Sequence, residues 1–388
     1  MPRRLHYIDW LRVLAVLLLF PFHTSRVFNY DDPFYIKSTE LSQALNYTLG
    51  FIDRWHMPLL FLLAGASTYL ALGKRNGREY AIERVTRLLV PLVFGIFVII
   101  PPQTWVGAQY NSGYTGSFME YITSGAFLVF NFGPGGDYYG GFGVGQLWFI
   151  LFLLLMSLIL LPLLMWGRSE RGSQRIGSLA RRLAKPAWWL LPPFALWFAE
   201  GLPAVVGKNW FYLAVYFLLG FVVIADGRFA ESAEKHLRAG LAIGTIICAA
   251  YVATWSVRIA MPDPSLQLMA VNIVGMFGIW TMLIGMLGAG KRYLDRTSPT
   301  LAYLAEASYP VYILHQTIIV LAAFWLVRLP VGLPAQWVFV FVTAVGVTFA
   351  TYELVRRVGV LRFLFGMRPR PASRPVAPAK LTPPAPMG

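Results

Sequence analysis

Long apolar runs alternate with short polar segments along almost the whole chain. A helix of about 20 apolar residues is long enough to cross the roughly 30 Å hydrocarbon core of a membrane. Ten such runs occur, at residues 10–28, 52–73, 86–106, 144–166, 186–204, 209–225, 238–260, 268–289, 303–328 and 334–356. The pattern therefore predicts an all-α, polytopic membrane protein with about ten transmembrane helices.

The apolar pattern weakens in the fifth run, in one connection and at the end of the chain. Pro192, Pro193 and Glu200 interrupt the fifth run, and both proline and charge oppose a continuous helix in lipid. The stretch at 119–132 is too short to span, and we expect it to lie at the interface or to re-enter the membrane. The proline-rich end predicts a disordered cytoplasmic tail over 367–388, after a membrane domain over 1–366.

Composition supports lipid as the surroundings of these runs. The 388 residues are 57% hydrophobic and 13% charged, whereas a typical soluble domain is about 25% charged. The single cysteine, Cys248, lies inside an apolar run, so neither an internal disulfide nor a thiol metal site can form. We expect no metal cofactor.

The basic residues provide an independent test of the topology. If both termini are cytoplasmic, the inner segments contain all but six of the 33 Lys and Arg. The six on the outside are Arg26, Lys37, Arg54, Lys208, Arg258 and Arg328. Such an excess is typical of cytoplasmic loops. The formal charge of +15 therefore indicates anchoring to an anionic membrane face, and no nucleic-acid partner is expected.

The first predicted helix carries Asp9, Arg12 and His23, and titratable groups inside a membrane are functional candidates by default. Arg12 and His23 are eleven residues apart, so they face the same side of a helix, about 16 Å apart along its axis. Pro21 is expected to bend the helix between them. The alternative interpretation is that Arg12 reaches lipid headgroups and that His23 is a structural, hydrogen-bonded histidine.

Two arginines lie at the cytoplasmic start of the third predicted helix. Arg84 and Arg87 are three residues apart, so they are neighbours on one helix face and can bind a phosphate-rich ligand through bidentate hydrogen bonds. The alternative is an ordinary positive anchor at the inner membrane surface.

Four further side chains are candidates for binding a substrate. His56 lies at the outer end of the second predicted helix, Trp148 at the outer end of the fourth, and His315 near mid-membrane in the ninth. Glu353 lies near the cytoplasmic end of the tenth, just before two arginines. Each has a structural alternative: an inert histidine, an aromatic belt residue, or an ion pair with the neighbouring arginines.

These residues together resemble the motifs of the acyltransferase-3 family of polytopic membrane acyltransferases. Arg12 and His23 match the family's Arg-x10-His signature on the first helix. Arg84 and Arg87 match its cytoplasmic Arg-x-x-Arg element. The ten-helix layout agrees as well, so the similarity covers about residues 6–360.

Two later segments extend the resemblance, with two departures. QLWF at 146–149 is similar to the family's Leu-Trp-Phe motif, and SYPVYILH at 308–315 to its late-helix motif. Gln146 stands where many members of the family carry a histidine, so no acid–base role is expected there. Pro310 interrupts the late motif.

The resemblance implies a membrane-embedded O-acyltransferase of the bacterial inner membrane. Its donor would be a cytoplasmic acyl-CoA, either acetyl-CoA or succinyl-CoA, and its acceptor a hydroxyl group of a periplasmic or cell-surface glycan. Arg84 and Arg87, with Arg12 beside them, would hold the phosphates of the donor, and His23 would act as the general base. HYIDWLR at 6–12 and FLLAG at 61–65 are most similar to a glucan-modifying branch associated with succinylation.

Two other functions stay open at this stage. An exporter of a modified sugar or of a lipid-linked glycan intermediate would use the same polar intramembrane residues as a pathway. A membrane glycosyltransferase with a polyprenyl-phosphate donor would need acidic residues in an outer loop, where Asp31, Asp32 and Asp137 are available. Release of CoA from a thioester donor distinguishes an acyltransferase from an exporter.

Overall fold

The computed structural model describes residues 5–129, 135–204 and 207–369. Within these ranges the chain forms helices and no β-strand, as the apolar pattern predicts. Most of the predicted tail, from residue 370 on, lies outside the described residues.

The α-helices that the structure describes follow one another with short connections. In chain order they are α1 (His6–Leu17), α2 (Leu19–Arg26), α3 (Gln43–Leu72), α4 (Gly77–Arg84), α5 (Val90–Phe94), α6 (Ile100–Asn111), α7 (Phe118–Thr123), α8 (Trp148–Ile159), α9 (Leu161–Arg168), α10 (Glu170–Leu183), α11 (Pro192–Glu200), α12 (Trp210–Val223), α13 (Gly227–Lys235), α14 (Leu237–Ala253), α15 (Trp255–Ile259), α16 (Leu266–Leu294), α17 (Pro299–Leu326), α18 (Leu333–Val355) and α19 (Gly359–Leu364). Two π-helical turns, Val85–Leu89 and Gly95–Ile99, join α4, α5 and α6 into one helical segment.

Six helical segments are long and apolar enough to cross a membrane by length and composition. They are His6–Arg26, Gln43–Leu72, Gly77–Asn111, Leu266–Leu294, Pro299–Leu326 and Leu333–Val355. Two more pass the same test only as bent pairs: α8 with α9, at 58°, and α12 with α13, at 103°. The part of the chain that the structure describes therefore has six to eight candidate spans. The predicted count of ten is not confirmed, and the cytoplasmic position of both termini stays a prediction.

Two of the predicted spans are short in the structure. The fifth run folds as a 3₁₀ turn, Pro186–Leu190, followed by the nine-residue α11. At 1.5 Å per residue, α11 is only about 14 Å long, because the prolines at its start break the run. The seventh run forms the 17-residue α14 and then the short α15. The stretch near 119–132 contains only α7 and a 3₁₀ turn among its described residues.

The first span is interrupted near its middle. Its two helices, α1 and α2, meet at Leu18. Pro21 has no N–H group to donate to the carbonyl of Leu17, four residues earlier, so the regular hydrogen-bond ladder is lost there. The helix is therefore interrupted between Arg12 and His23, about one turn before the proline itself, and the predicted bend stays a prediction. Pro310, in contrast, lies inside the continuous α17.

The buried apolar side chains form two clusters. One contains residues of α3, α12 and α16, with Trp280 fully buried, and the other contains residues of α2, α17 and α18, with Ile313 fully buried. Helix α1 contributes Leu11 to the first cluster and Val16 to the second. It therefore lies where the two clusters meet.

Helices α3 and α12 cross at very short range because both carry glycine at the contact. A Cβ atom on Gly65 would lie 1.8 Å from the carbonyl oxygen of Phe217. One on Gly220 would lie 1.9 Å from the carbonyl oxygen of Leu62. Any larger residue at either position would have to push the two backbones apart, which gives the glycine of the FLLAG run a packing role.

Replacing Gly65 should weaken this crossing. We expect Gly65→Ala to lower the thermal stability of the purified protein in detergent, because overpacking of this kind costs about 1–3 kcal/mol. Gly346→Ala is the matched control: it also lies within a helix, but nothing lies within 4 Å of its Cβ position, so it should keep or gain stability. Equal unfolding temperatures for the two variants would contradict the close packing of α3 on α12.

Candidate functional site

A cavity of about 750 Å³ lies among α1, α3, α4, α8 and α17, with lining residues from both apolar clusters. Its lining contains seven basic side chains and only two acidic ones, Asp9 and Glu83. The basic residues are Arg12, Lys74, Arg75, Arg84, Arg87, Arg168 and Arg368. The structure thus brings the predicted residues Arg12, Arg84 and Arg87 together. Four further basic residues of the lining were not singled out from the sequence.

Arg12 connects two helices at the cavity wall. Its guanidinium group lies 3.2 Å from the Asp9 carboxylate, one turn earlier in α1, and donates to the Ser67 hydroxyl of α3 at 2.7 Å. Ser67 in turn donates to the carbonyl of Leu63. The charge is therefore held by hydrogen bonds within the protein, while 37% of the Arg12 side chain stays exposed.

Arg84 and Arg87 lie where α4 passes into the first π-helical turn. The guanidinium group of Arg84 lies over the Tyr80 ring, 4.7 Å from its centroid, and its Nε–H has no partner among the described residues. Arg87 donates from Nε to the carbonyl of Gly366 at 3.2 Å and lies 3.4 Å from the Glu83 carboxylate. A buried guanidinium N–H without an acceptor favours an anionic ligand, and phosphate oxygens are strong acceptors for arginine.

Two of the predicted histidines lie side by side. The rings of His23 and His315 are 5.1 Å apart between centroids. His315 is fully buried, and its Nδ1 lies 2.7 Å from the carbonyl of Tyr312. A carbonyl can only accept, so Nδ1 carries the proton, and Nε2 of the neutral ring is a free base. Nε2 of His315 and Nδ1 of His23 are both buried without a partner among the described residues.

The histidine pair borders the cavity without lining it. The farthest lining residues along α1 and α17 are Val16 and Tyr312. The Tyr312 ring lies 5.8 Å from that of His315, and its hydroxyl donates to the backbone carbonyl of Gln146. A layer of side chains that includes Tyr312 and His315 therefore lies between the cavity and His23.

His56 lies next to the histidine pair and contacts it through Phe22. Its Nε2 lies 2.7 Å from the carbonyl of Ala15, close to the break between α1 and α2. Its ring stacks on Phe22 at 6.3 Å, and Phe22 contacts His23 at 5.2 Å. These contacts match the structural alternative for His56, which does not line the cavity.

Trp148 and Glu353 also lie away from the cavity lining. Trp148 packs on Phe152, with the ammonium group of Lys208 5.4 Å from its ring centroid. Glu353 lies 3.0 Å from Arg356 and 3.2 Å from Arg357, which is the ion pair considered from the sequence. Substrate binding by these two residues stays a prediction.

A buried polar network of Gln146, Gln103, Thr317 and Tyr35 was not predicted from the sequence. Gln146 donates to the carbonyl of Ile313 at 2.8 Å and accepts from Gln103 at 3.0 Å. Gln103 accepts from Thr317 at 2.9 Å and donates to the Tyr35 hydroxyl at 3.0 Å. Uncharged polar residues inside apolar runs were the available signal, since a buried amide needs partners. The network binds the part of α17 that carries His315 to Gln146 and to Gln103 of α6. Gln146 therefore has a structural role.

The network continues into a connecting loop. Tyr35 donates to the carboxylate of Asp137. Burial raises the pKa of Asp137, while its hydrogen bond from Tyr35 and the nearby Lys208 oppose that shift. Asp32 forms an ion pair with Arg26 at 2.8 Å. Two of the three acids that a glycosyltransferase would need are thus engaged within the protein. In the described ranges, no three His, Cys, Asp or Glu side chains come together as a metal site would require.

Comparison with known proteins covers nearly the whole chain. The profile of a family described as an acyltransferase domain matches residues 5–353. Glucans biosynthesis protein C of Shigella dysenteriae serotype 1 (strain Sd197) is 22% identical over 396 residues, which cover 95% of both chains. The protein of the same name from Escherichia coli (strain K12) is 21% identical with the same coverage. No solved structure matches the chain.

The network through Gln146 can be tested by its effect on stability. Gln146→Leu removes one buried hydrogen bond from the Ile313 carbonyl and one from the Gln103 amide, so we expect a loss of about 1–3 kcal/mol. Unfolding in detergent, followed by the circular dichroism of the helices, measures it. Gln174→Leu, on the exposed side of α10, is the control and should unfold like the wild type. A Gln146→Leu protein as stable as this control would show that the network does not hold α17.

Proposed function

This chain belongs to the acyltransferase-3 family, and from that premise we propose that it transfers an acyl group from cytoplasmic acyl-CoA to a hydroxyl group of a periplasmic or cell-surface glycan. The family makes it a membrane acyltransferase. The observation that carries the donor assignment is the convergence of Arg12, Arg84 and Arg87 in one cavity.

The cavity has the charge and size that a CoA donor requires. Its basic residues outnumber its acidic ones by seven to two, which favours a polyanion such as the phosphates of CoA. Arginine suits phosphate because its planar guanidinium group donates two parallel hydrogen bonds. A volume of about 750 Å³ lies within the range of cofactor pockets. Leu60, Phe149 and Leu153 supply an apolar wall for the uncharged arm of the donor.

The first span relates the donor cavity to the histidine pair. Arg12 and His23 are eleven residues apart, or about 16 Å along a helix. In this proposal the donor's phosphates stay near Arg12, and the pantetheine arm extends along α1 past Val16. The thioester then has to pass the ring of Tyr312 to reach His23 and His315.

The histidine pair supplies the base for the transfer step. The hydroxyl oxygen of the acceptor attacks the thioester carbonyl, the carbon–sulfur bond breaks, and the proton of the hydroxyl moves to His23. His23 then returns that proton to the sulfur of CoA. His315 donates from Nδ1 to the Tyr312 carbonyl, which leaves its Nε2 unprotonated, and its ring packs against that of His23. A base placed in this way contributes about 10²–10⁴-fold to the rate.

The names of the relatives indicate which acceptor to test first. The similar proteins from Shigella and Escherichia carry a name that refers to glucan biosynthesis, so a glucan is the first acceptor to test. We propose acetyl-CoA or succinyl-CoA as the donor, and the bacterial inner membrane as the location. Trp148, with Lys208 over its ring, is the candidate surface for a sugar.

Removing His23 tests the reaction. In proteoliposomes with acyl-CoA on the side of the arginine cavity and glucan on the other, wild type should release CoA and form acylated glucan. We expect His23→Ala to reduce both products at least about 100-fold, since the base is lost. His236→Ala, a histidine that contacts Ser232 and Trp189, should leave both unchanged. Normal product from His23→Ala would refute its role as base, and glycan movement without CoA release would favour an exporter.

Removing Arg84 tests the donor site. We expect Arg84→Ala to raise the apparent KM for acyl-CoA about tenfold, because one charge-assisted contact to phosphate is lost, with a smaller change in kcat. Arg78→Ala provides the matched control, since Arg78 lies on the same helix, is exposed and does not line the cavity. An unchanged KM for Arg84→Ala would remove Arg84 from the donor site.

A further inference from the structure

After α18, the last long helix, the chain turns back and packs against α5. Helix α19 is followed by a tight turn, and Phe365 and Met367 are buried, at 3% and 8% exposure. The Phe365 ring packs on Phe94 at 5.4 Å. We refer to residues 359–368 as the C-terminal hook. Met367 and Arg368 lie at the start of the predicted tail, and the structure still describes both of them.

Arg362 anchors the hook. It is 8% exposed and forms an ion pair with Glu306 of α17 at 3.0 Å. It also donates to the backbone carbonyls of Arg356, at 3.1 Å, and Arg368, at 2.6 and 3.1 Å. A buried arginine with this many acceptors is fully engaged within the protein. The contacts fix the end of the hook relative to α17 and α18.

The turn of the hook, at Gly366, lies in contact with Arg87. Gly366 has a φ of +64°, and a Cβ atom there would lie 2.6 Å from the carbonyl oxygen of Arg87. The Gly366 carbonyl accepts from the guanidinium Nε of Arg87 at 3.2 Å. Tyr309 of α17 donates to the Arg87 carbonyl at 3.0 Å. The hook therefore helps to set the direction in which the Arg87 side chain points.

The hook also ends in the cavity wall. Arg368 lines the same cavity as Arg84 and Arg87, and its backbone carbonyl is held by Arg362. Arg368 is an exposed residue, and the hydrogen bonds to its carbonyl fix its backbone at the cavity wall. Fixed placement lowers the entropy lost when an arginine binds a ligand.

We propose that the C-terminal hook is part of the donor site: Arg368 binds a phosphate group of the donor, and Gly366 positions Arg87 for the same ligand. This inference rests on the proposed function, because it assigns two further residues to the proposed acyl-CoA cavity. It assigns to Arg368 a binding role that the family motifs in this sequence do not include.

Direct binding to the purified full-length protein tests the inference without requiring transfer. Two probes are used, CoA and 3′,5′-ADP, which carries phosphates but no pantetheine arm. We expect Arg368→Ala to weaken the binding of both probes about tenfold, as for the loss of one charge-assisted contact. Arg368→Lys keeps the positive charge but loses the planar guanidinium group with its two parallel hydrogen bonds. It should therefore recover part of the affinity. Arg357→Ala, an exposed arginine that pairs with Glu353, should bind both probes like wild type.

Each outcome decides between separate claims. An Arg368→Ala protein that binds both probes like wild type would overturn the role of Arg368 while leaving the donor cavity in place. A wild-type protein that binds neither probe would overturn the proposed acyl-CoA site, and this inference with it. Gly366→Ala gives a second test: it should weaken both probes while the protein still elutes as a folded species, because its Cβ displaces the turn from Arg87. Unchanged affinity in that variant would contradict the positioning role of Gly366.

Discussion

In a membrane, each charge and each backbone polar group needs a partner that lipid does not provide. A cavity lined by seven basic side chains can exist there only if the protein supplies acceptors and rings around it. Arg12 has Asp9 and Ser67, Arg84 has the face of Tyr80, and Arg87 has Glu83 and a backbone carbonyl. Only two of these partners are carboxylates, so the lining keeps an excess of positive charge that attracts an anion.

The same constraint explains why the first span is central to the fold. Among the described helical segments, it is the one that carries both an arginine of the cavity and a histidine of the adjacent pair. Its first helix packs into both apolar clusters, through Leu11 and Val16, and its second helix packs into one of them. The sequence HYIDWLR at 6–12 therefore contains both a packing residue, Leu11, and the arginine to which the family resemblance gives a role, Arg12.

Local rules predicted much of this architecture. The all-helical fold, the interruption near Pro21 and the meeting of Arg12 with Arg84 and Arg87 followed from apolar runs, proline chemistry and recognised motifs. The count of ten spans was not confirmed, because hydropathy alone does not measure how far prolines shorten a helix such as α11. The Gln103–Gln146 pairing and the position of Arg368 depend on residues far apart in sequence, so no local pattern indicates them. The layer between the arginines and His23 is likewise a product of tertiary packing.

Tyr312 combines three contacts in one residue. Tyr312 lines the cavity, its hydroxyl donates to the Gln146 carbonyl, and its own carbonyl accepts from Nδ1 of His315. A ligand that travels from the arginines to the histidine pair by this route has to displace the ring and release the hydroxyl from its acceptor. On the proposed function, the Tyr312 side chain would therefore keep cavity water away from the unpartnered imidazole nitrogens until a donor displaces it.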